Sequence, residues 1–241
     1  MQSIITFDQA FDDITGLLHY PWVGIDYINS APKILVLGDS HYTVNDDGTF
    51  SLDEYNRCVA DKYYTREILD CAVGRSDVWR MYDGLYKLFR IDPFTAEDRF
   101  WNRIAFYNFV QVPMKTRNAI PTVNDFRDAW FCLVDIIDVL KPDICLFVGT
   151  RGWISNGYIN SENKGLCTVT FSKEMISGSY PWKAEIKTNN GVTTSVVAIH
   201  HTSQGFNFEL WRDYLTLQAP DMLHITESQK DARHKERPAA L

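Results

Sequence analysis

Five short apolar runs constrain this chain more than any other feature. KILVLG at 33–38, RIAFYNFVQV at 103–112, DICLFVG at 143–149, AEIKTN at 184–189 and TTSVVAIHH at 193–201 read as strands. Between the second and third lies DFRDAWFCLVDIIDVLKP, in which Phe126, Trp130, Leu133, Ile137 and Leu140 recur at helical spacing. Asn124 or Asp125 is placed to cap that helix and Pro142 to end it. Buried strands separated by helical stretches predict an α/β chain: a three-layer α/β/α sandwich around a central, mainly parallel sheet. Ligands of such sheets bind beyond the carboxyl ends of the strands. Here those ends carry Gly38-Asp39-Ser40-His41, Asn108 to Gln111, Gly149-Thr150-Arg151 and His200-His201-Thr202-Ser203, so polar groups converge on one rim.

The remaining composition sets limits. With 241 residues the chain has room for one α/β core, expected over residues 1–225 as a single domain. Residues 226–241 are charged and poor in apolar side chains, the pattern of a disordered tail. A net charge of −7 excludes a protein coated in positive charge, but a local basic groove needs only a few Arg and Lys. No apolar run is long enough to span a membrane, and the acidic start lacks a signal peptide's features, so a cytoplasmic monomer is expected. The five cysteines have no CxxC pair, which supports neither a disulfide framework nor a zinc or iron–sulfur site. Cys132 and Cys145, set in apolar runs, read as small buried hydrophobes. Between residues 43 and 100, NDDGT marks a turn, SLDEYNRCVADKYYTREILDCAV reads as one helix and SDVWRMYDGLYKLFRI as a second.

The rim segments, in their order, are similar to the motifs of the uracil-DNA glycosylase superfamily. That family's first motif follows the first strand as G-Q-D-P-Y in one branch and G-E-A-P-G in another. This chain has Gly38-Asp39-Ser40-His41-Tyr42. A strand carrying a base-reading asparagine corresponds to FYNFVQVP with Asn108, followed by Arg117-Asn118. A helix ending in K-P and a strand ending in glycine correspond to LKPDICLFVGTRGW, and the final H-P-S to His201-Thr202-Ser203, with Gly205-Phe206 beyond. The prolines of the first and last motifs are absent, as is the four-cysteine cluster of the G-E-A-P-G branch. The 43–100 insert is long.

The resemblance implies hydrolysis of the N-glycosidic bond of a flipped uracil or modified pyrimidine in DNA. The product would be an abasic site, and the setting repair or defence against phage with modified DNA. It implies no metal and no organic cofactor. Charge separation in that reaction calls for a carboxylate at the sugar, Asp39, and a donor at the departing base, His201. Asn108 suits a pyrimidine edge because it donates and accepts. Gly38, Ser40, Tyr42 and Ser203 complete the expected pocket. Tyr42, Phe50, Tyr63 and Tyr64 are the aromatic candidates for stacking on the base, and Tyr42 has the positional argument. Lys115, Arg117, Arg151, Gln204 and Phe206 lie beside rim motifs as candidate nucleic-acid contacts.

Two other classes stay open at the level of sequence. G-D-S after a strand also opens SGNH-type ester hydrolases, with Ser40 as nucleophile and Asp221 to His224 as a D-x-x-H pair, although no G-x-N-D block accompanies it. A non-catalytic nucleic-acid-binding module on the same fold is the other. Plain structural readings stand beside these. Asp39 can cap a turn, Asn108 can satisfy a loop, and His41 reads as a rim residue without a catalytic role. His200 and His201 point opposite ways if the strand continues, so one of them is structural.

Overall fold

The structure is a computed structural model that describes residues 3–45, 47–73, 80–93, 97–203 and 205–225. The predicted tail at 226–241 and Gln204 lie outside the described residues. Seven strands, β1 (Trp22–Val23), β2 (Ile34–Tyr42), β3 (Ile104–Met114), β4 (Ile144–Val148), β5 (Gly165–Phe171), β6 (Trp182–Thr188) and β7 (Thr193–Ile199), form one sheet. Their order is β1-β3-β2-β4-β7-β6-β5.

The sheet is parallel through its four central strands and antiparallel at both margins. The cause is visible in the burial patterns. The first half of β2, residues 34–37, and β4 are apolar runs buried on both faces, the mark of a covered parallel strand. β6 instead alternates buried and exposed residues, the mark of an antiparallel strand with one wet face. Asn189, Asn190 and Gly191, with Gly191 at φ +83°, turn β6 back onto β7 as a hairpin. AEIKTN is therefore an antiparallel marginal strand and not a member of the parallel core. β1 and β5 were not expected from sequence: β1 has only two residues, and β5 is half exposed.

Nine α-helices and one short 3-10 turn, Tyr27–Asn29, accompany the strands among the described residues. The α-helices are α1 (Asp8–Asp12), α2 (Leu52–Ala60), α3 (Tyr64–Ala72), α4 (Arg80–Phe89), α5 (Glu97–Trp101), α6 (Val123–Leu140), α7 (Gly157–Ser161), α8 (Phe208–Gln218) and α9 (Pro220–Leu223). On one face of the sheet Leu35, Leu37, Tyr107 and Phe109 pack with Phe126, Trp130, Leu133 and Ile137 of α6. On the other, Val36, Phe106, Val197 and Ile199 pack with Leu85 of α4, Trp101 of α5 and Trp211 and Leu215 of α8. Each such buried side chain stabilises the fold by roughly 1.5–3 kcal/mol. Cys132 and Cys145 are buried in the first of these cores. No helix among the described residues is long and apolar enough to cross a membrane.

Three local expectations are corrected. α6 is capped by Thr122, in a reciprocal box with Asp125, and not by Asn124 or Asp125. The single helix expected over 51–73 is two, because the Asp61 carboxylate takes the Tyr63 amide at 2.8 Å and breaks the run. β2 does not stop at Gly38 but continues through Tyr42, so the motif that follows the glycine is extended chain paired with β3.

Candidate active site

The carboxyl ends of the parallel strands open into a cavity of about 520 Å³. Asp39, Ser40 and Tyr42 line it from β2, Asn108 from β3, and His201 and Ser203 from the loop after β7. Those six expected residues thus share one cavity although they come from three separate parts of the chain.

Pairing of β2 with β3 sets Asn108 directly beside Gly38. A Cβ on residue 38 would lie 2.1 Å from Asn108 Oδ1, so the glycine is what lets that side chain lie across the strand. Asn108 is 8% exposed. Its Nδ2 meets His41 Nδ1 at 3.1 Å, and its backbone oxygen accepts from Gln111 Nε2 at 2.6 Å.

His41 is not the rim residue expected from sequence. It is 6% exposed, and its Nε2 meets Thr65 Oγ1 of α3 at 2.8 Å. The rings of His19 and Tyr64 stand edge-on to it at 5.0 and 4.8 Å. Burial, with His19 beside it, holds its pKa down at about 3, so the ring is neutral. With Nδ1 accepting from Asn108, the ring hydrogen sits on Nε2 and points at Thr65. α3 in turn is fixed by Arg66, whose guanidinium grips Asp8 (closest approach 2.6 Å) and whose Nε donates to Pro21 O at 2.9 Å.

His201 is held differently. The Ser203 backbone N–H, which can only donate, reaches His201 Nδ1 at 3.2 Å, with Ser203 Oγ 2.7 Å away. Nδ1 is therefore bare and the ring hydrogen is on Nε2. Burial, then His200, lowers this pKa to about 4, so His201 is a neutral donor at the cavity wall. His200 turns away to Ser179 Oγ at 2.8 Å, as alternation along an extended chain requires. The loop itself is clamped by α4: Thr202 Oγ1 donates to Met81 O at 2.7 Å, and Gly84 lets the helix approach closely. A Cβ there would lie 2.6 Å from the Thr202 backbone.

Asp39 makes no hydrogen bond among the described residues. Burial raises its pKa, and the Arg151 guanidinium partly offsets this. The Tyr42 phenol is likewise pushed up, chiefly by burial and then by Asp39. The nearby Ser40 hydroxyl acts on it in the opposite sense, but that approach falls short of hydrogen-bond geometry, and Ser40 Oγ is buried without a partner. No base is therefore bonded to Ser40. Asp221 and His224 of the alternative hydrolase pair lie at α9, and neither lines the cavity.

The remaining expected contacts scatter. Exposed Lys115 sits over the rings of Phe50 and Tyr55, at 5.5 and 4.9 Å. Arg117 reaches the Asn45 carbonyl at 3.4 Å. Arg151 is exposed beside Asp39. Phe206 packs against the second core and does not stand free at the rim. Among the aromatic candidates Tyr42 and Tyr64 line the cavity, whereas Tyr63 stands edge-on to Tyr20.

Sequence reasoning missed His41, Glu54, Tyr64, Ile68 and Tyr82 as cavity residues, apart from naming Tyr64 among the aromatics. Glu54, Tyr64 and Ile68 come from α2 and α3, and only the helical reading of that insert could have brought them together. The groups that line the cavity can orient a water, donate to a leaving oxygen and read a flat polar edge. Neither a scan against protein-family models nor a search of curated proteins finds a match to this chain.

Proposed function

We propose that this protein is a monofunctional DNA glycosylase acting on a flipped uracil or modified pyrimidine. The observation that carries the reading is the convergence of Asp39, Asn108 and His201 on one cavity at the carboxyl ends of parallel strands. In the proposed reaction a water attacks C1′ as the bond from C1′ to the base nitrogen breaks, and the bonding pair leaves with the base. Asp39 as the carboxylate stabilises positive charge on the sugar and takes the proton of the attacking water. The neutral His201 donates its Nε2 hydrogen bond to the oxygen on which the base carries its negative charge. Asn108 holds the pyrimidine edge, and Tyr42 or Tyr64 stacks on its face. Lys115, Arg117 and Arg151 are the proposed phosphate contacts.

The test is a panel of oligonucleotides carrying uracil, 5-hydroxymethyluracil, 5-hydroxymethylcytosine or its glucosylated form, together with modified phage DNA. Each is incubated with the protein in EDTA, and alkali then reveals abasic sites. The expected result is cleavage of at least one substrate, lost in both Asp39→Ala and His201→Ala. Absence of abasic sites on every substrate sinks the proposal.

A further inference from the structure

Asn108 has the donor and acceptor needed to read a base, but an amide can turn over and exchange them. Two features of the fold oppose that. On one side the missing Cβ of Gly38 leaves a slot occupied by Oδ1. On the other, Nδ2 faces His41 Nδ1 at 3.1 Å, and His41 is itself held from behind by Thr65 at 2.8 Å. Turning the amide over would set Oδ1 against Nδ1, a contact that is kept only if the ring hydrogen moves to Nδ1 and Thr65 Oγ1 turns to donate to Nε2. While the ring stays protonated on Nε2, two buried acceptors would face each other, which is costly.

We propose that His41 is a positioning residue: protonated on Nε2, with Thr65 as its acceptor, it locks the Asn108 amide in one polarity and so lets the pocket tell pyrimidines apart by their hydrogen-bonding edge. The two edges in question are the imide edge of uracil-type bases, acceptor–donor–acceptor, and the amidine edge of cytosine-type bases, acceptor–acceptor–donor. A locked amide fits one of them and faces the other with like against like. A free amide adapts to both. The discriminating role rests on the glycosylase reading, whereas the lock itself does not.

Nitrogen-15 NMR of the histidine rings in the wild-type protein tests the lock first. The expected result is a bare Nδ1 and a protonated Nε2 on His41; a protonated Nδ1 overturns the proposal. The second measurement compares cleavage of matched pairs that differ only in the edge, uracil with cytosine and 5-hydroxymethyluracil with 5-hydroxymethylcytosine. His41→Leu is expected to move the ratio within a pair toward unity by about tenfold or more. His41→Asn, whose Oδ1 can replace Nδ1 as acceptor, restores part of it. Thr65→Val gives a smaller change in the same direction and serves if His41→Leu fails to fold. Folded His41→Leu, or Thr65→Val in its place, with an unchanged ratio overturns the role in specificity.

If the wild-type protein cleaves nothing, the glycosylase reading falls while the ring tautomer still judges the lock. Titrations with deoxyuridine and deoxycytidine, followed at the Asn108 side-chain amide, then judge specificity. An unequal response lost in His41→Leu supports it, and an equal or absent response overturns it.

Discussion

Two cavities of nearly equal volume flank the sheet, about 520 Å³ at the carboxyl ends of the parallel strands and about 490 Å³ between the 15–18 segment and α6. Size does not separate them; the state of their polar groups does. In the second, the buried Gln111 accepts from Leu18 N and His19 N and donates to Asn108 O, Asp125 is used up in the helix cap and Asp128 pairs with Arg127, which leaves Asp135, beside Lys164, as the one carboxylate there without a hydrogen bond among the described residues. In the first, Ser40 Oγ has no partner, Asp39 makes no hydrogen bond among the described residues, and His201 keeps an Nε2 hydrogen for the cavity. Folding satisfies nearly all buried polar groups, so capacity left over is where a ligand belongs. Gln111 joins the two regions, because the same side chain that closes one cavity braces the backbone of Asn108 in the other.

The sharpest way to break this contrast is a paired substitution. Asp39→Ala is expected to cut glycosylase turnover by at least about 100- to 1000-fold, the loss typical of a positioned electrostatic group. Asp128→Ala, in the wall of the second cavity, is expected to leave it unchanged. Single-turnover rates on the best oligonucleotide substrate decide, and equal losses in the two variants would abolish the distinction.

Next in size is Gly38→Ala. The new methyl would meet Asn108 Oδ1 at 2.1 Å, so the amide must leave its place. A displacement of about 1 Å can cost on the order of 100-fold. KM and kcat measured together test this: a variant with wild-type kinetics would mean that Asn108 has no need of its present position.

How much of this was legible beforehand follows the physics of each element. β2, β3 and β4 announce themselves through the apolar runs at residues 34–37, 104–107 and 144–148, because strand segments covered on both faces are apolar. The direction of β6 was also encoded, in its strict alternation and in Asn190-Gly191, yet an apolar-run reading passes over both. Thr122 and Asp125 likewise spelled the capping box of α6. The polar rim was legible because it sits at strand ends. His41 was not, because its partners lie 24 and 67 residues away and no local pattern joins them. The α2–α3 wall was hidden for the same reason: its helices are amphipathic in sequence, but nothing there says which strand end they cover.

A third effect concerns acid stability. His19, His41 and His201 all have pKa values lowered chiefly by burial, to about 3 for His41 and about 4 for His201. The unfolded chain takes up protons on these rings near pH 6.5 while the fold does not. Their contribution is therefore complete above pH 6.5 and is lost as pH falls toward those lowered values. Each ring can add up to about 1.4 kcal/mol per pH unit to the slope. Asp39 in the first cavity and Asp135 in the second, both raised chiefly by burial, act with the opposite sign. Denaturant titrations at pH 7, 6 and 5 should show falling stability, less steep in His201→Gln. A flat profile would mean that these imidazoles are not held neutral.

The smallest effect is the most diagnostic of a site held at a cost. Burial raises the Asp39 pKa above 3.8, with Arg151 only partly offsetting it. The folded state thus disfavours the charged carboxylate relative to the unfolded chain, and above its folded pKa Asp39 subtracts from stability. Asp39→Asn removes that charge at little change of shape. It is expected to raise stability by about 1 kcal/mol, roughly 2–4 °C in melting temperature for a chain of this size. Activity should be lost in the same variant. The gain should be present at pH 7 and vanish below pH 3.8, where the wild-type carboxyl is protonated in both states. Asp128→Asn is the control: its carboxylate is exposed, and its surface pair with Arg127 is worth about 0–1 kcal/mol, so no gain is expected there. An Asp39→Asn protein that melts lower at pH 7 would show instead that the carboxylate is one of the groups holding the fold together, which is the opposite of what an unspent functional group should be.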